Sequence, residues 1–209
     1  MSCERPRVNP SERPHPSRRT ALATLLAAGG LAAGCSHSPP VQLYHLRSAA
    51  PVPVPTPAPS TAVWQLLLPV RLPDYLDREA ILLPQGDTGL LALSGHRWAE
   101  SLRDAVPRVL RQDLGALLGE GRVWPSPLPS GVTATRQLRV EILGFEAQAD
   151  RASVRLQARW TLTDPQGRTP PRADGATLRV AAEGGSIDRL VAAHRLALWR
   201  LAERIVSAP

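Results

Sequence analysis

Alternation is clearest in the second half of the chain. Val154, Leu156, Ala158, Trp160 and Leu162 alternate with Ser153, Arg155, Gln157, Arg159 and Thr161. This pattern predicts a strand with one buried face and one wet face. Upstream, Leu138, Val140 and Ile142 keep an even phase, which slips to odd at Leu143, Phe145 and Ala147. A bulge near Gly144 accounts for the slip. A short join at Asp150-Arg151 and a turn at Asp164-Pro165-Gln166-Gly167 separate these strands from a third through Leu178, Val180 and Ala182. The three form an antiparallel meander.

Two stretches change to helical spacing. Leu102, Val106, Val109, Leu110, Leu114, Leu117 and Leu118 share one face, with Arg103, Asp104, Arg108, Arg111 and Gln112 elsewhere. Pro107 either kinks this helix or opens it from its first turn. Gly119 and Gly121 end it. The last helix starts after Ser186, a good cap, and buries Ile187, Leu190, Val191, His194, Leu198, Leu201, Ala202 and Ile205.

The first half reads as short strands at 41–46, 63–68, 81–83 and 90–93, with a turn at Gln85-Gly86-Asp87. Between the first two, Pro51, Pro53, Pro55, Pro57 and Pro59 forbid a helix and remove the donors of a central strand. An extended polyproline II spacer is the expectation for 50–61. The sum is one α/β (α+β) domain over 62–209, a mostly antiparallel or mixed sheet packed by two amphipathic helices.

The start of the chain follows different rules. Arg18 and Arg19 precede a 13-residue apolar run, from Ala21 to Ala33, that ends at Gly34-Cys35. A bilayer span needs ~20 residues, so the run is a secretory signal over 1–34. Residues 17–22 fit a twin-arginine signal as well as a plain basic leader. Leu31-Ala32-Ala33-Gly34-Cys35 resembles a bacterial lipobox, although Leu stands one place earlier than usual. That resemblance implies acylation of Cys35, palmitate included, and no other cofactor. Ser36 resembles the outer-membrane default of lipoproteins. One buried chain at ~0.8 kcal/mol per CH₂ anchors marginally, whereas two or more hold firmly.

Composition agrees with export. The only cysteines are Cys3 and Cys35, so the mature chain would hold no free thiol and no disulfide. All 25 basic residues are Arg, against 18 acids. Removal of 1–34 leaves a net charge of +4. The arginines are scattered, which argues against a nucleic-acid partner.

Leu72-Pro73-Asp74-Tyr75-Leu76-Asp77-Arg78 is the most distinctive stretch of the domain, followed by Arg97-Trp98-Ala99-Glu100-Ser101-Leu102. By physics alone the first is an irregular segment. In it Asp74 or Asp77 can cap a turn, and Tyr75 and Leu76 can plug the core edge. Trp98 reads as a core anchor at the helix start. Together with Cys35, Tyr44-His45-Leu46, Trp160 and the Ala/Leu-rich last helix, the two stretches resemble the PqiC-type (YmbA-like) ABC-transport auxiliary lipoproteins. The resemblance implies a lipid-anchored periplasmic subunit at the outer membrane. Its implied partners are an MCE-domain protein and an inner-membrane component, with a homo-oligomeric state. It makes Asp74, Tyr75, Asp77, Arg78 and Trp98 the candidate partner contacts.

No catalytic set stands out. His37, His45, His96 and His194 show no metal spacing, and His96 is expected in a loop. Neither a G-x-S-x-G elbow nor a glycine-rich phosphate loop occurs. Three other functions remain conceivable: an assembly lipoprotein without a role in lipid transport, a lipid carrier with a large apolar pocket, and an exported hydrolase.

Overall fold

A computed structural model describes residues 40–207 except residue 59. The expected signal and Cys35 lie outside the described residues. The strands are β1 (Gln42–Tyr44), β2 (Trp64–Leu66), β3 (Ala80–Gln85), β4 (Gly89–Trp98), β5 (Val123–Pro125), β6 (Arg136–Ala147), β7 (Ser153–Thr163) and β8 (Arg172–Ala181). The helices are α1 (Leu102–Leu118) and α2 (Ile187–Ser207). They form a single α+β domain with two mixed sheets, ordered β1-β4-β3 and β5-β2-β6-β7-β8.

The meander is present as β6, β7 and β8, antiparallel throughout. Pairing shifts between Ile142 and Gly144, which leaves Leu143 as the extra residue. Leu143 is exposed, while Phe145 and Ala147 return to the core. The bulge therefore turns an apolar register error into a continuous buried face.

Three parallel pairings were not expected. β2 lies between β5 and β6 and is parallel to both. β5 is three residues ending in Pro125, too short and too proline-marked for pattern to reveal. Its edge position is where a proline is tolerated. β1 runs parallel to β4, with Gln42 opposite His96 and Tyr44 opposite Trp98. Leu46 is fully buried just beyond it. Residues 40–48 thus belong to the folded unit, and 50–61 connects β1 to β2.

β4 also runs further than its apolar residues suggest. Its pairing with β3 jumps from Ala80–Arg97 to Leu82–Ala92, and Gly95 within the irregular part has φ of +74°. Gly95 mimics a break while the strand continues, so His96 lies in a strand and not in a loop.

α1 begins at Leu102 in one piece, and Pro107 lies inside it. The alternative start at Pro107 does not occur, because Ser101 caps the helix one turn earlier by accepting from Arg103 N at 3.0 Å. α2 packs on β7 and β8 and against α1. Contact on two sides explains why Trp199 and Arg195 are buried although they lie off the predicted apolar stripe. Ser186 caps α2 through its hydroxyl, which accepts from Arg189 N at 3.3 Å.

Candidate functional site

Residues 72–78 form a short, fixed knob. Pro73 enters with φ of −57°, and Asp74–Leu76 make one 3-10 turn closed by Leu76 N and Asp77 N on the carbonyls of Pro73 and Asp74, both at 3.0 Å. Leu76 is buried and plugs the core. The Tyr75 hydroxyl donates to Glu146 on β6. Burial, and then the Glu146 carboxylate, push the phenol well above its ordinary value, so it stays a donor. The turn is therefore held from within by an apolar side chain and a phenol.

Its outer surface is charged. Arg103, in the first turn of α1, reaches Asp77 at 3.1 Å and Asp74 at 3.5 Å. Neither aspartate caps the turn with its side chain. Asp77 is engaged by a cation on α1 instead. Arg78 is exposed and makes no side-chain hydrogen bond or ion pair among the described residues. Glu79 beside it pairs with Arg97 at 3.3 Å. Such exposed pairs contribute little stability, ~0–1 kcal/mol. What they provide is a patterned, accessible set of charges on a rigid backbone.

Trp98 takes a different place. It closes β4, ahead of the helix, with its backbone N–H donating to Glu79 O at 2.6 Å and only 6% of its surface exposed. Its ring meets the His194 imidazole edge-on at 5.5 Å, and Phe145 approaches the same imidazole at 4.8 Å. Trp98 is thus a packing residue, and burial corrects its assignment as a partner contact. The structure brings Asp74, Tyr75, Asp77 and Arg78 together and places Trp98 beneath them.

The space behind the knob is small. Tyr75, Leu76, Trp98, Phe145, Glu146 and His194 help to line about 20 Å³, room for roughly one water. Small-molecule sites are commonly ~300–1,000 Å³, so the space behind the knob is too small for one; a wider groove of about 820 Å³ lies between β1 and α2. His194 is buried and its Nδ1 donates to Leu190 O at 2.8 Å. Desolvation lowers its pKa to about 4, which keeps it neutral at pH 7. It is a satisfied core histidine. No acidic, histidine or cysteine cluster able to hold a metal occurs among the described residues.

Pattern reading missed a second polar centre. Arg195 of α2 and Asp113 of α1 form a buried bidentate pair at 2.5 and 2.8 Å. Arg195 also donates to the carbonyls of Arg47 at 2.7 Å and Ser48 at 3.5 Å. Arg108 joins it by donating to Leu46 O at 3.2 Å and Ser48 Oγ at 2.9 Å, and it pairs with Glu100. Two arginines from two helices thus grip the chain just after β1. Burial pushes the Asp113 carboxyl up to about 6 against the pull of Arg195. Part of the signal for this pair was present: Asp113 is a charge set into the apolar face of α1, whereas Arg195 lies just off the apolar stripe of α2.

Residues 44–206 match the family described as ABC-type transport auxiliary lipoprotein component. The chain belongs to this family. The family is defined by a transport auxiliary role and not by an enzymatic one. No curated protein matches the chain. Among solved structures, an uncharacterized protein is 17% identical and covers 79% of this chain and 96% of its own, with a TM-score of 0.63. A protein from Xanthomonas campestris is 15% identical and covers 79% and 92%, with a TM-score of 0.61. At these identities the likeness establishes the auxiliary lipoprotein's fold alone.

Proposed function

We propose that this auxiliary lipoprotein is the membrane-tethered docking subunit of an MCE-type ABC lipid transport system. In this reading Cys35 carries the acyl anchor, the outer membrane holds it, and the domain engages an MCE-domain protein as a homo-oligomer. An inner-membrane component completes the system. The supporting observation is the knob: Asp74, Asp77 and Arg78 stand exposed on a turn whose backbone Tyr75 and Leu76 lock to the core. A rigid charged protrusion suits partner selection, because complementary charge steers and orients encounter more than it adds affinity.

The test is capture from the native envelope. The full chain is tagged, crosslinked in place, solubilised, and its companions are identified by mass spectrometry. An MCE-domain protein should come with the wild type and be lost with Asp77→Ala/Arg78→Ala. Capture that survives this variant would remove the knob from the interface. Capture of outer-membrane assembly factors alone would remove the transport role.

A further inference from the structure

The position of β1 sets where a lipid anchor can place the domain. Five steps of chain separate Cys35 from Pro40. At ~3.6 Å per residue they span at most about 18 Å. Pro40 is fixed beside β4, its carbonyl oxygen 3.7 Å from where a Cβ on Gly95 would lie. β1 cannot drift away, because it is paired to β4 and gripped behind by Arg108 and Arg195. The proline-rich stretch follows β1 and adds nothing to the reach.

Exposed large apolar side chains lie close to that point. Val41 and Leu43 are 51% and 65% exposed on β1 and its approach, and Leu90 and Leu91 are each 45% exposed at the start of β4. At ~3.4 Å per residue, Leu90 and Leu91 lie no more than about 17 Å along the strand from Gly95. Elsewhere among the described residues such side chains are single: Val54, Leu68 and Leu143.

We infer that the β1 edge and the β3–β4 hairpin end rest on the phospholipid surface that holds the acyl chains of Cys35. This rests on the reading that Cys35 is acylated. The sheet edge then supplies a second, weaker contact, and the two together orient the domain.

The experiment uses the full chain, expressed with its leader and purified as the processed protein. Mass spectrometry of the N-terminal peptide first reads the acyl chains. Leu43→Cys, Leu91→Cys and, on the β7–β8 loop, Thr169→Cys are labelled with an environment-sensitive fluorophore. Each is reconstituted in phosphatidylethanolamine/phosphatidylglycerol vesicles with and without doxyl-labelled lipid. Quenching at 43 and 91 should exceed that at 169 by about twofold or more, as fits groups within ~5–10 Å of the acyl boundary. Val41→Cys or Leu90→Cys replaces a variant that fails to fold. An unacylated Cys35 would overturn the tether and this inference with it. An acylated Cys35 with equal or absent quenching at all three labels would overturn the inference alone. A spectral change at 43 that grows with protein concentration in detergent would assign the edge to a second copy and overturn it likewise.

Discussion

Arg195→Met isolates the buried pair. The substitution keeps an unbranched apolar stem but removes the guanidinium from Asp113, which is 1% exposed, and from the carbonyls of Arg47 and Ser48. Stranding one partner of a buried ion pair costs about 3–5 kcal/mol. The pH dependence gives a sharper signature. In the wild type the folded pKa of Asp113, about 6, exceeds the ordinary 3.8. The folded state therefore takes up the proton more readily. The cost of burying this carboxylate is fully present above pH 6 and is relieved as pH falls through 6 toward 3.8. Without Arg195 only burial acts, and buried carboxylates can reach ~8–9. Relief in the variant then starts above pH 7.5, at about 1.4 kcal/mol per pH unit. Between pH 7.5 and 5 the variant should recover about 2 kcal/mol relative to the wild type. The assay is urea unfolding of the mature chain with Cys35→Ser, followed by tryptophan fluorescence at both pH values. Asp113→Leu/Arg195→Met should regain most of the loss at pH 7.5, because no charge stays buried. A deficit below about 1 kcal/mol at pH 7.5, or one that does not change with pH, would refute the reasoning.

The other expectations concern the core and the knob. His194 has the opposite sign, since its folded pKa of about 4 lies below the ordinary 6.5. Its stabilising effect is complete above pH 6.5 and is lost as pH falls toward 4. His194→Leu should therefore gain about 2 kcal/mol on the wild type between pH 7 and 5, read as a shift in urea midpoint at each pH. Pro107 occupies an interior position of α1, where its ring cannot donate to the carbonyl of Arg103. Pro107→Ala should raise stability by about 1–3 kcal/mol, measured by thermal unfolding. Trp98→Ala should cost about 3–5 kcal/mol, whereas Tyr75→Phe, which loses one hydrogen bond, should cost only about 1 kcal/mol. Urea unfolding of the two side by side separates packing from the knob's tether.

Much of the fold was legible because its largest sheet is half-buried. β6 and β7 alternate over many residues, and the phase slip at Leu143 marks the bulge. The helices were legible for the same reason, each with one apolar face and one polar cap. What stayed hidden was encoded between segments. Nothing local in Gln42–Tyr44 says that it pairs parallel to β4, and nothing in Val123–Pro125 says that β2 completes it. Parallel partners lie far apart in sequence and leave no turn signal between them. The knob was legible as an unusual string of residues and as a core plug at Leu76. Its clamp was not, because Arg103 looked like one more polar position on the outer face of α1. Trp98 was recognisable as an anchor, but Gly95 concealed that it belonged to a strand.

The grip on Arg47 also orders events in time. Its donor lies 148 positions later in the chain. As the polypeptide emerges from its amino end, the β1 segment must wait for almost the whole sequence before Arg195 arrives. Contacts of such long separation form late, since the loop they close is costly in entropy. A product cut short before α2 would hold its leading segment only by β4 and by Arg108 of α1, and Asp113 would lack its Arg195 partner. Only a chain synthesised through α2 can complete the hold on its own beginning.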